Sequence, residues 1–164
     1  YPGASGNKRH YIEWATSVPG IGTASCIRAW NGANTVKVIV SDANYTTVSE
    51  SLIKKVYERI AEQNPINAIV TIVSATIKTI NIEARVRGQP NADDFKQAVQ
   101  KYFREIARAG FGKDRYVSIA KIGALLLQSG AAQDYDSLTL NGAAANISLT
   151  TEELPALGRV VLHG

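Results

Sequence analysis

The spacing of apolar residues along this chain changes period several times, which indicates that helices and strands alternate. A first helix is predicted over residues 5–17, where Ser5 or Asn7 can act as the N-cap. Pro19 ends this helix, because proline disfavours helical conformation in the residue before it. The apolar face of this helix consists of Tyr11, Trp14, Ala15 and Val18.

Two β-strands are predicted next, over residues 23–30 and 35–40. The Asn31-Gly32 pair between them is a strong hairpin signal, because both residues tolerate positive φ. Trp30 is then the last residue of the first strand, and we expect its indole to cover the end of the hairpin or the first helix. The alternative interpretation is an exposed aromatic platform for a ligand such as a sugar or a base.

Three longer helices are predicted over residues 48–63, 91–109 and 115–128. Thr47 and Glu50 have the spacing of a capping box at the start of the first of these helices. The three apolar faces consist of Val48, Leu52, Ile53, Val56, Tyr57 and Ile60, then of Phe95, Ala98, Val99, Tyr102, Phe103 and Ile106, and then of Tyr116, Ile119, Ala120, Gly123, Leu126 and Leu127.

The remaining apolar runs predict further strands. The clearest is residues 77–87, whose apolar positions alternate after a register change near Thr79–Ile80 that suggests a bend or bulge. Asn64-Pro65 ends the predicted helix over residues 48–63, and the strand predicted over residues 68–73 follows it. The other predicted strands are residues 68–73, 137–140, 146–149 and 158–162, with Asn141-Gly142 between the second and the third.

This mixture of hairpins and amphipathic helices predicts an α+β fold. The predicted fold consists of two small mixed α/β units, with antiparallel hairpins packed against helices. The first domain is predicted over residues 1–75 (helix, hairpin, helix, strand) and the second over residues 76–164 (strand, two helices, short strands). In both halves a turn glycine precedes an Asn-Gly glycine by 12 positions, from Gly20 to Gly32 and from Gly130 to Gly142. Duplication of a unit and chance reuse of common turn residues both explain this spacing.

The composition is that of a globular protein, since 45% of the 164 residues are hydrophobic and 20% are charged. No apolar run approaches about 18 residues, so no segment is predicted to span a membrane. The sequence contains no methionine, which favours a fragment of a longer protein. Its single cysteine, Cys26, cannot form an internal disulfide, and we expect a packed thiol.

Residues suited to catalysis are sparse. The two histidines are His10 and His163. His10 and Glu13 lie one helical turn apart, but a solvated pair explains them better than a metal site. Ser25-Cys26 lacks a partner histidine in any recognisable pattern.

The acidic pairs and the glycine motifs are also better explained by structural roles. Residues 20–22 and 110–112 are Gly-x-Gly sequences without the spacing that binds phosphate. Structural roles are assigned to Asp93-Asp94 at a helix start, to Asp134 and Asp136 at a strand edge, and to Glu152-Glu153 in a loop before Pro155. We therefore predict no catalytic, metal-binding or cofactor-binding residues, no cofactor and no enzymatic activity.

The formal net charge is +4, and several basic residues cluster between residues 96 and 121. They are Lys96, Lys101, Arg104, Arg108, Lys113, Arg115 and Lys121. A nucleic-acid-binding α+β module using this basic helical region is the alternative functional hypothesis. It is less favoured, because the chain lacks an aromatic ribonucleoprotein motif and a GXXG loop, and a solvated helix face explains the charges equally well.

Three stretches, residues 5–40, 64–86 and 134–162, together resemble the baseplate J-like proteins, which are wedge components of contractile phage tails and phage-tail-like prophage particles. The resemblance covers about residues 5–162 and rests on the order and spacing of its features. These are Tyr11, Trp14-Ala15, Val18-Pro19-Gly20, Trp30-Asn31-Gly32, Pro65-Ile66, Tyr135, Leu138-Thr139, Asn141-Gly142 and Leu157-Gly158.

The resemblance implies a structural subunit, with this chain as the central and C-terminal region. It implies contacts with other baseplate wedge and hub proteins and an oligomer in the assembled particle. It also implies that the protein is synthesised in the bacterial cytoplasm and is then located in the baseplate of a virion or phage-tail-like particle. No catalytic residues are implied. Tyr45, Phe111 and Tyr135 are candidate contact residues, although core packing explains Tyr135 better. A cell-wall hydrolase domain of a tail particle is a third hypothesis, without a supporting motif.

Overall fold

The computed structural model describes residues 7–63, 68–88 and 91–164. The helices are α1 (Lys8–Thr16), α2 (Glu50–Gln63), α3 (Ala92–Arg108) and α4 (Ile119–Gln128). The strands are β1 (Ile21–Arg28), β2 (Thr35–Asp42), β3 (Ile69–Ser74), β4 (Thr76–Arg87), β5 (Arg115–Val117), β6 (Asp134–Leu140), β7 (Ile147–Leu149) and β8 (Glu153–His163). Small mixed sheets with helices confirm the predicted α+β class.

The chain divides into two compact units. The first comprises Tyr1–Thr76 together with Arg108–Gly112, and the second comprises Ile77–Ala107 together with Lys113–Gly164. The first change of unit lies next to the boundary expected between residues 75 and 76, whereas the return of Arg108–Gly112 to the first unit was not expected. The assignment of residues 1–75 and 76–164 as domains stays a prediction.

The first unit contains a three-stranded sheet in the order β1-β2-β3. β1 and β2 pair antiparallel, with Cys26 opposite Val38, and β2 and β3 pair parallel, with Val38 opposite Ile72. A parallel pair needs a crossover connection, and α2 supplies it. The core of this unit consists of Tyr11, Ala15, Val18, Ile21, Ala24, Cys26, Val36, Val38, Val40, Val48, Val56 and Ile60.

The hairpin between β1 and β2 is confirmed, but its loop differs from the expected turn. Positive φ occurs at Ala29 (56°), Gly32 (105°) and Asn34 (64°), not at both residues of the Asn31-Gly32 pair. The left-handed conformation of Ala29 interrupts the extended backbone, so β1 ends at Arg28, directly before Ala29. The prediction that Trp30 is the last residue of the strand is therefore wrong, and Trp30 instead forms an isolated bridge with Gly32.

The predicted caps of the first two helices differ in outcome. Asn7 caps α1, because its Oδ1 accepts a hydrogen bond from His10 N at 3.0 Å. The alternative cap Ser5 and the predicted helix end at Asn64-Pro65 lie outside the described residues, as does Ile66. The capping box of Thr47 with Glu50 is wrong, because α2 begins at Glu50 and the N–H of Leu52 donates to Ser49 Oγ at 3.3 Å.

The second unit contains a three-stranded sheet in the order β6-β4-β8 and a two-stranded sheet of β5 and β7. In β4, the strict alternation of buried and exposed residues from Ile80 to Arg87 confirms the predicted strand pattern. The pairing of β4 with β6 is irregular between Glu83 and Arg85, further along than the bend expected near Thr79–Ile80. The core consists of Ile80, Ile82, Ala84, Val86, Phe95, Val99, Phe103, Val117, Ile122, Leu126, Ala131, Ala132, Leu138, Leu140 and Leu149.

The predicted helix over residues 115–128 is too long at its N-terminus. Residues 115–117 form β5, which pairs with β7, and the side chain of Ser118 caps α4 by accepting from Lys121 N at 3.1 Å. Tyr116 therefore lies on a strand and is 51% exposed, so its predicted place on the apolar face of a helix is wrong.

Asn141-Gly142 does not join paired strands, because β6 and β7 belong to different sheets. The first unit instead has its Asn31-Gly32 hairpin within one sheet, so the structure does not support duplication of one unit. Glu153 begins β8 and Pro155 lies within it, which corrects the expected loop before Pro155. β8 is an edge strand, where proline is tolerated.

Candidate functional site

The helix α1 places His10 and Glu13 in separate interactions. Arg9 Nε donates to Glu13 Oε1 at 3.1 Å, and the His10 ring stacks on Trp14 with 5.9 Å between the ring centroids. The two side chains therefore contact different neighbours on α1. Within residues 7–63, 68–88 and 91–164, no group of three or more His, Cys, Asp or Glu side chains is arranged to hold a metal.

Cys26 lies on the core face of β1 and is only 7% exposed. Burial raises the pKa of its thiol to about 11, and the positive charges of Lys8 and Arg28 oppose this shift without reversing it. The thiolate is the nucleophilic form of cysteine, so this side chain stays protonated and inert at neutral pH. The packed thiol expected from the sequence is confirmed.

His163 lies at the end of β8, where its Nε2 is 2.7 Å from Glu83 Oε2 on β4. Both side chains are more than half exposed. They line a shallow recess of about 590 Å³ whose other residues include Arg85, Ser137 and Thr139. A solvent-exposed hydrogen-bonded pair of this kind contributes little to stability, and none of the described side chains that line the recess is both polar and buried.

The seven basic residues between 96 and 121 do not form one helical region. They are distributed over α3, the connection after it, β5 and α4. Arg115 is half-buried and donates from Nη1 to the carbonyl of Thr150 at 3.1 Å, and burial lowers the pKa of its guanidinium. Since β5 interrupts the stretch, the seven residues do not share one continuous helix, whereas Lys96, Lys101, Arg104 and Arg108 lie together on α3.

The three contact residues expected from the sequence have partners inside their own units. Tyr45, with φ of 59°, accepts a hydrogen bond at its hydroxyl from Arg108 Nε at 3.2 Å. The N–H of Phe111 donates to Ser25 Oγ at 2.8 Å. Tyr135 is half-buried and packs against the core of the second unit, as its core interpretation predicts.

The indole of Trp30 is 41% exposed at the tip of the β1–β2 hairpin. The ammonium of Lys37 lies 5.0 Å from the centroid of its ring, which is the geometry of a cation–π contact. The loop below it is ordered by Thr35, whose Oγ1 accepts from Asn31 N at 3.1 Å and donates to the carbonyl of Gly32 at 2.6 Å. Trp30 is therefore a partly exposed side chain on a well-bonded loop.

Two exposed apolar residues lie at the start of β3 and on the neighbouring helix α2, and the sequence pattern did not predict their exposure. Tyr57 on α2 is 51% exposed and Ile69 on β3 is 64% exposed. Tyr57 was expected on the buried face of its helix and is not there. The signal that could have found this surface is β3 itself, whose sequence Ile-Val-Thr-Ile-Val-Ser contains no charge and no proline.

Asp134 and Asp136 lie exposed on β6, which is an edge strand of its sheet. Their placement agrees with the edge protection expected from the sequence, because charged side chains discourage pairing with another strand. No helix in the described part of the chain is both long and apolar enough to cross a membrane.

A solved structure with the same fold is a chain in the cryo-EM structure of the anti-feeding prophage baseplate, 6-fold symmetrised. The similarity has a TM-score of 0.59 and covers 90% of this chain and 36% of that chain, at 16% sequence identity. At this identity the comparison establishes the fold alone.

Relatives occur among proteins of phage-like elements. The chain is 34% identical over 169 residues to the phage-like element PBSX protein XkdT of Bacillus subtilis, covering 95% of this chain and 47% of that protein. It is 27% identical over 173 residues to the Mu-like prophage FluMu protein gp47 of Haemophilus influenzae, covering 98% and 47%. The chain thus spans about half the length of the curated relatives it matches.

Two family models match consecutive parts of the sequence. Residues 3–74 match the Baseplate J-like central domain, and residues 80–163 match the Baseplate J-like protein C-terminal domain. The central domain precedes the C-terminal domain, as the resemblance that includes Trp30-Asn31-Gly32 and Asn141-Gly142 implies. The chain belongs to the baseplate J-like family.

Proposed function

We propose that this chain is part of a structural subunit of a phage or prophage tail baseplate. The observation that carries this proposal is the consecutive match of the central and C-terminal baseplate J-like domains to residues 3–74 and 80–163. The relatives from a phage-like element and a Mu-like prophage support it. The subunit works through protein–protein contacts with neighbouring wedge and hub proteins and forms an oligomer in the assembled particle.

The proposal includes the absence of catalytic activity and a location in the baseplate after synthesis in the bacterial cytoplasm. The support for the absence of catalytic activity is chemical: the histidines contact Trp14 and Glu83, and the thiol of Cys26 is buried with a raised pKa. It also includes the domain boundary between residues 75 and 76. The gap between the two family matches supports that boundary, since it falls at residues 75–79.

Deletion and complementation test this function. The gene for the full-length protein is deleted from the producing strain, and particles are purified and imaged with and without complementation. We expect particles without a baseplate, or no assembled tails, in the deletion strain, and restoration by the wild-type gene. Intact contractile particles in the deletion strain would refute the structural role.

A further inference from the structure

The outer edge of β3 carries backbone groups that no strand of the described sheet pairs with. β3 is the last strand in the order β1-β2-β3. Ile69 N donates to the carbonyl of Asn34 at 2.8 Å, and Ala75 N donates to that of Val40 at 2.7 Å. Because successive backbone groups point to opposite sides of a strand, the N–H groups of Val70 and Ile72 point away from β2.

Three other sheet edges in the described residues, those of β1, β6 and β8, each carry a feature that limits pairing with a further strand. On β1, Ser25 Oγ accepts from Phe111 N, so the returning segment Arg108–Gly112 lies against that strand. β6 carries Asp134 and Asp136, and β8 carries Pro155 and Arg159. Charges, proline and covering segments are the ways in which proteins block edge pairing, and β3 has neither charge nor proline.

An apolar recess adjoins the start of this edge. It has a volume of about 210 Å³ and is lined by Tyr57, Ile60, Ala61, Ala68, Ile69 and Val70. Tyr57 and Ile69 are the large exposed side chains of this lining. A strand added to β3 would direct alternate side chains to its two faces, so one side chain could enter the recess while the next covers the exposed part of Ile69.

We propose that the outer edge of β3 and this recess bind an extended, uncharged segment of a neighbouring baseplate protein by strand addition. Backbone hydrogen bonds to Val70 and Ile72 supply general affinity, and a large apolar side chain in the recess supplies specificity. The absence of charge along Ile69–Ser74 selects an uncharged segment, because a buried unpaired charge at this edge would be destabilising. This inference rests on the proposed function.

A second copy of this chain that binds through this surface alone is a less suitable occupant. Stable interfaces of standard size use roughly 20–30 residues on each side, whereas β3 offers 6 residues and a recess formed with one helix. A short strand addition becomes strong when the rest of the bound protein is held elsewhere in the same assembly, because the local concentration is then high. The surface therefore fits a segment of a protein that other contacts already place in the baseplate.

Hydrogen exchange measured by mass spectrometry tests the proposal on the full-length protein, alone and within purified baseplates. We expect the peptide that covers residues 69–74 to gain protection on assembly, because its outward amides become bonded. Unchanged exchange in assembled baseplates that contain the protein would overturn the strand addition and leave the proposed function intact. Absence of the protein from purified baseplates would instead overturn the proposed function, and this inference with it.

Four variants test the surface. Ile69→Lys and Tyr57→Ala alter exposed side chains beside the edge, so they should fold normally, with an unchanged midpoint of thermal unfolding. The matched controls are Leu127→Lys and Tyr116→Ala, since Leu127 is 43% exposed and Tyr116, like Tyr57, is 51% exposed. We expect incorporation of the first two variants into baseplates to fall about tenfold, which corresponds to about 1.4 kcal/mol, and incorporation of the controls to stay unchanged. Equal incorporation of all four, or concentration-dependent protection of residues 69–74 in the isolated protein, would overturn the assignment of this occupant.

Discussion

Asn141 and Asn81 form a reciprocal pair at the end of β6. The N–H of Asn81 donates to Asn141 Oδ1 at 2.7 Å, and the N–H of Asn141 donates to the carbonyl of Asn81 at 2.8 Å. Asn141 Nδ2 also donates to the carbonyl of Thr79 at 3.0 Å. The side chain of Asn141 therefore continues the hydrogen-bonded ladder on β4 after β6 has ended at Leu140, which explains the position of asparagine at a site with φ of 51°.

Replacement of Asn141 should destabilise the second unit. Asn141→Gly keeps access to positive φ but removes both side-chain hydrogen bonds, so we expect the free energy of unfolding to fall by about 1–2 kcal/mol. Asn141→Ala should cost more, because alanine is also strained at this φ. Urea denaturation measures both. The control is Asn44→Ala, which replaces an exposed asparagine in the loop after β2, and an equally small effect for all three variants would show that the ladder extension is unimportant.

Variants at Gly123 and Tyr135 test whether Tyr135 packs in the core or serves as a contact for a partner protein. A Cβ at position 123 would collide with the hydroxyl of Tyr135 and lie 2.8 Å from its Cζ. Gly123→Ala is therefore expected to lower the midpoint of thermal unfolding, and the double variant with Tyr135→Phe should recover part of the loss. Since Gly123 lies within α4, alanine would otherwise be stabilising by about 1 kcal/mol. A stabilised single variant would contradict the packing of Tyr135 against this helix.

The hydrogen bond from Phe111 N to Ser25 Oγ should hold the returning segment Arg108–Gly112 in the first unit. Ser25→Ala leaves the N–H of Phe111 without this acceptor, which should cost about 1–3 kcal/mol where the group stays away from water. Hydrogen exchange of residues 108–112 should accelerate. Ser51→Ala is the control, because Ser51 is exposed on α2. No change in exchange at residues 108–112 would count against this attachment.

The buried thiol of Cys26 should make stability depend on pH in the alkaline range. Its pKa is raised by burial from 9.0 to about 11, so between these values the unfolded chain loses the proton while the folded protein keeps it. The contribution of this thiol to the free energy of unfolding is therefore fully present below about pH 9, and it is lost as the pH rises toward 11. Cys26→Ala should flatten this slope in denaturation curves measured across that range. A residual slope is expected in this variant, because burial also raises the pKa of Tyr11. A slope equal to that of the wild type would mean that Cys26 does not contribute to the pH dependence.

Truncation of Trp30 should affect folding little. Trp30→Ala is expected to lower the free energy of unfolding by less than about 1 kcal/mol, because the indole is 41% exposed and its cation–π partner Lys37 is also at the surface. Ile60→Ala is the contrast, since Ile60 is 1% exposed and its truncation should cost about 2–5 kcal/mol. Equal losses in the two variants would restore the expectation that Trp30 packs over the end of the hairpin.

Local patterns predicted most elements and misplaced those whose conformation depends on distant partners. The apolar spacing of α3 predicted the burial of Phe95, Val99 and Phe103, because a helix presents one face to its core wherever that core lies. The same reasoning placed Tyr116 on a helix, whereas pairing with β7 draws residues 115–117 into a strand. Tertiary contacts override local propensity when the hydrogen bonds of a neighbouring strand are available.

The sequence by itself determined the α+β class, the alternation of β4, the packed state of Cys26 and the resemblance to the baseplate J-like family, because these depend on residue type and on spacing along the chain. Only the tertiary structure decided that β6 and β7 join different sheets, that Arg108–Gly112 belongs to the first unit, and that the uncharged edge of β3 is left unpaired in its sheet. These features depend on which strands meet across long stretches of sequence, and hydrogen bonds between distant strands leave no periodic signal in either strand alone.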